Sequence, residues 1–329
     1  VTPLSTERAR EILDAASGVR VLVVGDLMLD RYISGTVDRI SPEAPVPVVR
    51  VLEESSAVGG AANVAANAVA LGAVCQVVGC VGSDAGGDAL RGALLRLGVG
   101  VEGVVEDPSR RTTVKTRVLA RSQQVVRVDF EEDGDVSPVV QEALQESIRT
   151  LARAAHVVVL EDYNKGVLVP GVIHAAMQAA AGREVPTVVD PKKRNFFGFS
   201  GASVFKPNAK ELEEALAAPL HPDDPEWMEE TRARLGCGAL LLTLGERGMA
   251  LQAPPSPHLR IPALARSVFD VSGAGDTVTA VVAVALAAGA HLQEAALLAN
   301  HAAAIEVGKA GVATVSPAEL LEHLSRPRP

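Results

Sequence analysis

The sequence predicts an α/β protein, a doubly wound sheet flanked by helices and carrying a small β lid. Three observations lead there. Short apolar runs bounded by Gly, Pro or a polar residue alternate with helix-like stretches along most of the 329 residues. Hydrophobic residues make up 48% and aromatics only 3%, so the core must be built from Val, Leu, Ala and Ile, as in a parallel sheet covered by helices. Two segments break the alternation and read as a separate β unit.

The charged stretch 1–18 is helix-like and lacks the apolar core of a signal peptide. Buried strands are predicted at 19–25, 74–81, 156–160, 186–190, 203–206 and 239–243. Helices are predicted at 61–71, 88–97, 139–154, 171–181, 209–217 and 225–235. The first irregular segment, 31–53, holds Pro42, Pro45 and Pro47 among β-type runs. The second, 112–130, alternates apolar and polar residues, the pattern of a sheet with one face in water. Together, at about 31–57 and 111–131, they are expected to form a small antiparallel lid over one core domain that spans 1–329. No internal repeat or low-complexity linker interrupts it.

Charge excludes several functions. Lys and Arg number 31 against 40 Asp and Glu, a net charge of -9, which argues against a nucleic-acid binder. Local loops can still hold an anionic ligand. Cys75, Cys80 and Cys237 form no C-x-x-C pair and read as reduced core residues of a cytoplasmic protein. The longest apolar stretch, near 278–290, is too short to span a bilayer.

Five segments carry chemistry. In FDVSGAGDT (269–277), Gly273, Ala274 and Gly275 can turn the backbone so that amides and the start of a helix point at one anion, with Asp276 beside it as a candidate base. By itself the string equally describes a tight turn with a helix cap. Gly59 and Gly60 let the backbone approach a ligand, and Asn63 offers a donor and an acceptor on the next helical turn. Asp26 and Asp30 follow the first strand, where open α/β sheets bind ligands. Asn208-Ala209-Lys210-Glu211 opens a helix, either as a capping box or as a ligand site. Thr243, Gly245 and Gly248 form a turn after an apolar strand.

These strings resemble the signatures of the ribokinase-like (PfkB) carbohydrate kinases. The resemblance implies that Asp276 is the catalytic base and that Gly273, Ala274 and Gly275 form the anion hole. It implies that Asp30, Gly59, Gly60 and Asn63 grip the sugar. It assigns Asn208, Ala209, Lys210, Glu211, Thr243, Gly245, Gly248 and Asn300 to ATP, with Asn208 and Glu211 organising Mg2+ indirectly, through the nucleotide. The segment 300–311 falls where the family builds its adenine wall and often a monovalent-cation site, such as one for K+.

Further strings, among them RISPEAPVP (39–47) and RSQQ (121–124), are similar to those of D-glycero-β-D-manno-heptose 7-phosphate kinases of that family. The likeness runs from about Val21 to Ser316. It implies a sugar-phosphate substrate, with Arg121, Lys165, Lys192 and Lys193 as candidates for its phosphate. The segment 190–195, DPKKRN, is more basic than the family's usual Asp-Pro-Lys-Gly. The H-x-G-H motif of the fused nucleotidyltransferase is missing, so a stand-alone kinase or an isolated kinase half is expected. A lid-mediated homodimer is expected too, because lid hairpins expose strand edges. No nucleic-acid or membrane partner is expected.

Overall fold

The computed structural model describes residues 4–121, 123–265, 269–309 and 311–326. Ser122 of the RSQQ string and Ala310 of the 300–311 segment lie outside the described residues.

After helix α1 (Thr6–Ala15), strand β1 (Arg20–Gly25) enters the middle of the main sheet. The chain then leaves that sheet to form β2 (Leu27–Ile40) and β3 (Pro47–Gly60), and returns through α2 (Ala61–Ala70), β4 (Val74–Gly82), α3 (Ala85–Arg96) and β5 (Gly100–Asp107). A second excursion makes β6 (Thr113–Ala120) and β7 (Gln123–Phe130). The alternation resumes with α4 (Pro138–Leu151), β8 (Val157–Glu161), α5 (Pro170–Ala181), β9 (Thr187–Asp190), β10 (Val204–Phe205), α6 (Ala209–Leu216), α7 (Pro225–Leu235) and β11 (Ala239–Thr243). It closes with β12 (Met249–Gln252), β13 (Leu259–Ile261), α8 (Ala274–Ala287), α9 (Leu292–Glu306) and α10 (Pro317–Ser325).

The main sheet has nine strands in the order β13-β12-β11-β10-β9-β8-β1-β4-β5. Pairs from β5 through β11 are parallel, and β12 and β13 extend the sheet antiparallel. The sequence reading did not anticipate β5, β12, β13, α9 or α10. Strands of three or four residues carry too little periodicity to register, and β5 is interrupted by Gly103.

Strand parity splits the core. Val21, Val23, Val157, Val159, Val188 and Val204 pack with α2, α8 and α9 on one face. Leu22, Val24, Val158, Leu160, Val189 and Phe205 pack with α4 and α5 on the other. Both faces are therefore dry, which is why the strands read as unbroken apolar runs. The order reverses at β1, which has β4 on one side and β8 on the other. Such a switch point opens a crevice at the carboxyl ends of the strands.

The lid has four strands in the order β3-β2-β6-β7. It is mixed rather than antiparallel, because β2 pairs with β6 in parallel. The reason is topological. Strands β1 and β5 run in the same direction in the main sheet, and β2 and β6 continue from their carboxyl ends. The two hairpins therefore leave the same edge side by side.

Candidate active site at the carboxyl edge of the sheet

Three neighbouring parallel strands end in charge. Glu161 of β8 lies in register with Asp190 of β9, and the Lys206 amide just past β10 donates to the Val189 carbonyl (2.8 Å). The parity that puts Val159, Val188 and Val204 on the α8 face puts Glu161, Asp190 and Lys206 there too. Lys206 Nζ lies 2.7 Å from Asp190 Oδ2, and Thr279 Oγ1 on α8 donates to that same oxygen (3.4 Å). All three charged residues are buried.

Helix α8 brings Asp276 to this row. Its N-cap, Gly273, has φ 96°, a left-handed conformation that favours glycine, and a Cβ there would come within 3.0 Å of Asn63 Nδ2. The first i→i−4 bond of α8 runs from the Thr277 amide to the Gly273 carbonyl (2.9 Å). The Gly275 and Asp276 amides precede it, so their N–H groups have no partner within the helix. Asp276 is the third helical residue, not the cap.

The Asp276 carboxylate is held from two directions. Asn63 Nδ2 donates to Oδ2 (2.8 Å) and the Tyr163 hydroxyl donates to Oδ1 (2.7 Å). Asn63 is itself oriented, since Asn67 Nδ2 donates to Asn63 Oδ1 (3.1 Å). Burial pushes Asp276 up to about 6, and the hydrogen bonds from Tyr163 and Asn63 restrain the rise. At neutral pH it is a carboxylate able to take a proton.

The row around it is electrostatically divided. Burial, with the neighbouring Asp190 and Asp276 charges, raises Glu161 well above the carboxylate range. Asp190 is held below its ordinary value despite burial, chiefly by the Lys206 charge. Lys206 is raised despite burial, chiefly by Asp190 and Glu161. The row therefore sets an acid that holds its proton more tightly than usual beside a carboxylate paired with an ammonium.

On the lid side, Asp30 of β2 is buried and ion-paired with Arg117 of β6. A Cβ on Gly59 would come within 2.5 Å of Asp30 Oδ2, so only glycine leaves that carboxylate its place. Gly60 has φ 58° and caps α2, aiming the first turn with Asn63 at Asp276. Asp26 plays a supporting part. Its carboxylate accepts from the Tyr163 (2.7 Å), Lys165 (3.0 Å) and Val167 (3.1 Å) amides and fixes the loop that carries Tyr163.

On the far side lie Asn208 and Glu211, which form a complete capping box on α6. Glu211 also pairs with Lys192, whose ammonium sits 4.9 Å from the Tyr163 ring centroid. Ala209 and exposed Lys210 begin α6. Thr243 bridges to Asn208, and Gly245 (φ 59°) and Gly248 (φ 82°) shape the β11–β12 turn. Asn300 is buried and donates to the Pro262 carbonyl (2.9 Å). Lys165 is engaged by Asp133 (2.6 Å) and Glu131 (3.0 Å). Arg121 is exposed just past β6, and Lys193 is exposed near Lys192.

Thus Asp276, Gly273, Ala274, Gly275 and Asn63 converge, while Arg121 stands apart at the lid tip. Sequence reasoning missed Tyr163, Glu161, Lys206, Arg117 and Lys115 of β6, whose ammonium lies 5.7 Å from the Tyr163 ring centroid. Tyr163 was visible only as part of the string EDYNKGVL (161–168). A cavity of about 1090 Å3 opens at the opposite edge, between α1 and the start of α9, and none of these residues lines it.

A model of the pfkB family of carbohydrate kinases matches residues 19–319. The chain belongs to that family. It is an ATP-dependent sugar kinase. It is 48% identical over 311 residues to the bifunctional protein HldE of Caulobacter vibrioides, covering 93% of this chain and 63% of the relative. It is 44% identical over 326 residues to HldE of Geotalea uraniireducens, covering 98% of this chain and 65% of the relative. The chain thus spans somewhat less than two thirds of those relatives' length. Among solved structures, phosphofructokinase-2 from Escherichia coli in complex with potassium has a TM-score of 0.77 at 21% identity, covering 94% of this chain and 100% of the other. Ribokinase of Arabidopsis thaliana complexed with ribose and ATP has 0.72 at 22%, covering 94% and 99%. These two likenesses establish the ribokinase-like fold.

Proposed function

We propose that the kinase transfers the γ-phosphoryl of ATP to the anomeric O1 of D-glycero-β-D-manno-heptose 7-phosphate, giving the 1,7-bisphosphate on the way to ADP-heptose. The observation that carries the mechanism is the doubly held Asp276 carboxylate beside the amides of the α8 start. The strings 39–47 and 121–124, and the likeness to HldE proteins, support the choice of sugar.

Asp30, Gly59, Gly60 and Asn63 form the sugar side, and Asn208, Glu211, Thr243, Gly245 and Gly248 the nucleotide side. Asp276 takes the O1 proton as O1 attacks the γ-phosphorus. The O1–P bond forms, the bond to the β-phosphate oxygen breaks, and ADP leaves. The α8 amides hold the charge on the transferred group. Magnesium, when bound with ATP, neutralises phosphate charge. Asn208 and Glu211 would meet it through its water shell, since Glu211 is already engaged by Lys192 and by its own cap.

Lys192 is the better placed candidate for an anionic substrate group, being near Tyr163. Arg121 lies six residues beyond Lys115, roughly 20 Å along the strand at about 3.3 Å per residue. It fits a substrate only across a lid-to-lid dimer. Lid composition favours such a dimer. Adjacent Val51 and Leu52 are 46% and 67% exposed, and adjacent Val125 and Val126 are 39% and 47% exposed. Each pair sits at a β-bulge, with Leu52 and Val125 as the extra residues, and these apolar side chains stay uncovered within one chain. Sedimentation should show a dimer at micromolar concentration, and Val126→Asp should shift it towards monomer. The reaction is tested with heptose 7-phosphate, ATP and Mg2+ in a coupled ADP assay, with phosphorus NMR locating the new phosphate. Preference for an unphosphorylated sugar would reject the heptose assignment.

A further inference from the structure

Glu161, Asp190 and Asp276 each offer a carboxylate oxygen within 4.8 Å of the others, the spacing of a metal-binding trio. Both Glu161 oxygens and Asp190 Oδ1 are buried without a hydrogen-bond partner among the described residues. Three buried acids so close together demand positive charge. The chain supplies that charge itself. Lys206 is 2% exposed, its ammonium lies 2.7 Å from Asp190 Oδ2, and a Cβ on Gly275 would be 3.8 Å from both groups. An ammonium at that place competes with a divalent ion for the same oxygens. The trio is therefore a poor fit to a resident metal while Lys206 is present.

We propose that Lys206 takes the place of a protein-bound divalent cation in this cluster. Its ammonium carries the fixed positive charge beneath the anion loop, beside Asp276, and magnesium enters only with the nucleotide. This rests on the kinase reading for its catalytic meaning, but the charge compensation itself is independent of substrate. Strand order explains how it is built. Lys206 follows β10, the neighbour of β9, so it reaches Asp190 without crossing another strand.

The test is Mn2+ titration of the full chain without nucleotide or sugar, with free Mn2+ read by electron paramagnetic resonance. The wild type should hold no tight Mn2+. Lys206→Met, which removes the charge and keeps the apolar stem, should bind one Mn2+ at least about tenfold more tightly, and Lys206→Arg should not. Lys206→Gln serves should the Met variant fail to fold. In turnover, Lys206→Met should lose about a hundredfold in kcat and regain part of it as Mn2+ is raised. Stoichiometric Mn2+ binding by the wild type, lost in Glu161→Gln, would overturn the proposal. So would Met and Gln variants that bind Mn2+ no better than the wild type. Loss of kinase activity on every sugar tried, with the Mn2+ pattern intact, would sink the functional reading and leave the charge substitution standing.

Discussion

Two asparagines near the starts of helices do different work. Asn208 caps α6, its side chain accepting from the Glu211 amide three residues on (2.9 Å). Asn63, on the first turn of α2, ignores its own helix start and donates to Asp276, 213 residues away. Asn208 is exposed and Asn63 is buried. A local bond in water contributes a modest amount to stability, whereas a buried bond to a charge governs where that charge sits and when it ionises.

Substitutions can break this contrast, beginning with the group that Asn63 serves. Asp276→Asn should lower kcat at least about a hundredfold, with sugar binding measured by calorimetry little changed. Unaltered turnover would remove Asp276 from the chemistry. Asn63→Ala should lower kcat by about ten- to a hundredfold, the loss of a hydrogen bond to a charged group. It should also destabilise the fold, because Asn67 loses a partner. Tyr163→Phe removes the other donor to the carboxylate. Without it protonation is easier, so the acid limb of the pH–rate profile should move up from about 6. A limb that stays put in Tyr163→Phe would show that Asp276 is not the titrating base.

Glu306 gives a smaller, pH-dependent effect. It is buried beside the Gly273 loop, both its oxygens lack a hydrogen-bond partner among the described residues, and burial with the Asp270 and Asp276 charges pushes it up to about 8. Its folded value lies above the unfolded one, so between about 4.5 and 8 the native state binds the extra proton. Stability from this group is complete below that window and is lost as pH rises through it. Thermal melts from pH 5 to 8.5 should therefore fall less steeply for Glu306→Gln than for the wild type. Smallest of all, Asn208→Ala should cost about 1 kcal/mol through the lost cap, a melting shift of about 2 °C for a chain of this size. Any change in ATP affinity should appear in KM and leave the pH limb in place.

Much of the fold was legible because parallel strands buried on both faces are short apolar runs, as 157–160 and 239–242 are. The capping box of α6 was legible for a similar reason, its partners being three residues apart. The antiparallel strands β12 and β13 were not, since three or four residues hold no period. Nor was the parallel pairing of β2 with β6, because pairing between distant segments depends on where each leaves the main sheet.

The amino-acid order by itself determined the helix starts, the left-handed glycine at 273 and which residues could bear charge, because these depend on backbone sterics and neighbours within one turn. Only the tertiary structure decided that Asn63 and Tyr163 would meet on Asp276 and that Lys206 would answer Asp190. Strand order brings those groups within a few ångströms of one another. Burial then makes their charges matter, since low-dielectric surroundings strengthen every interaction that water would have screened.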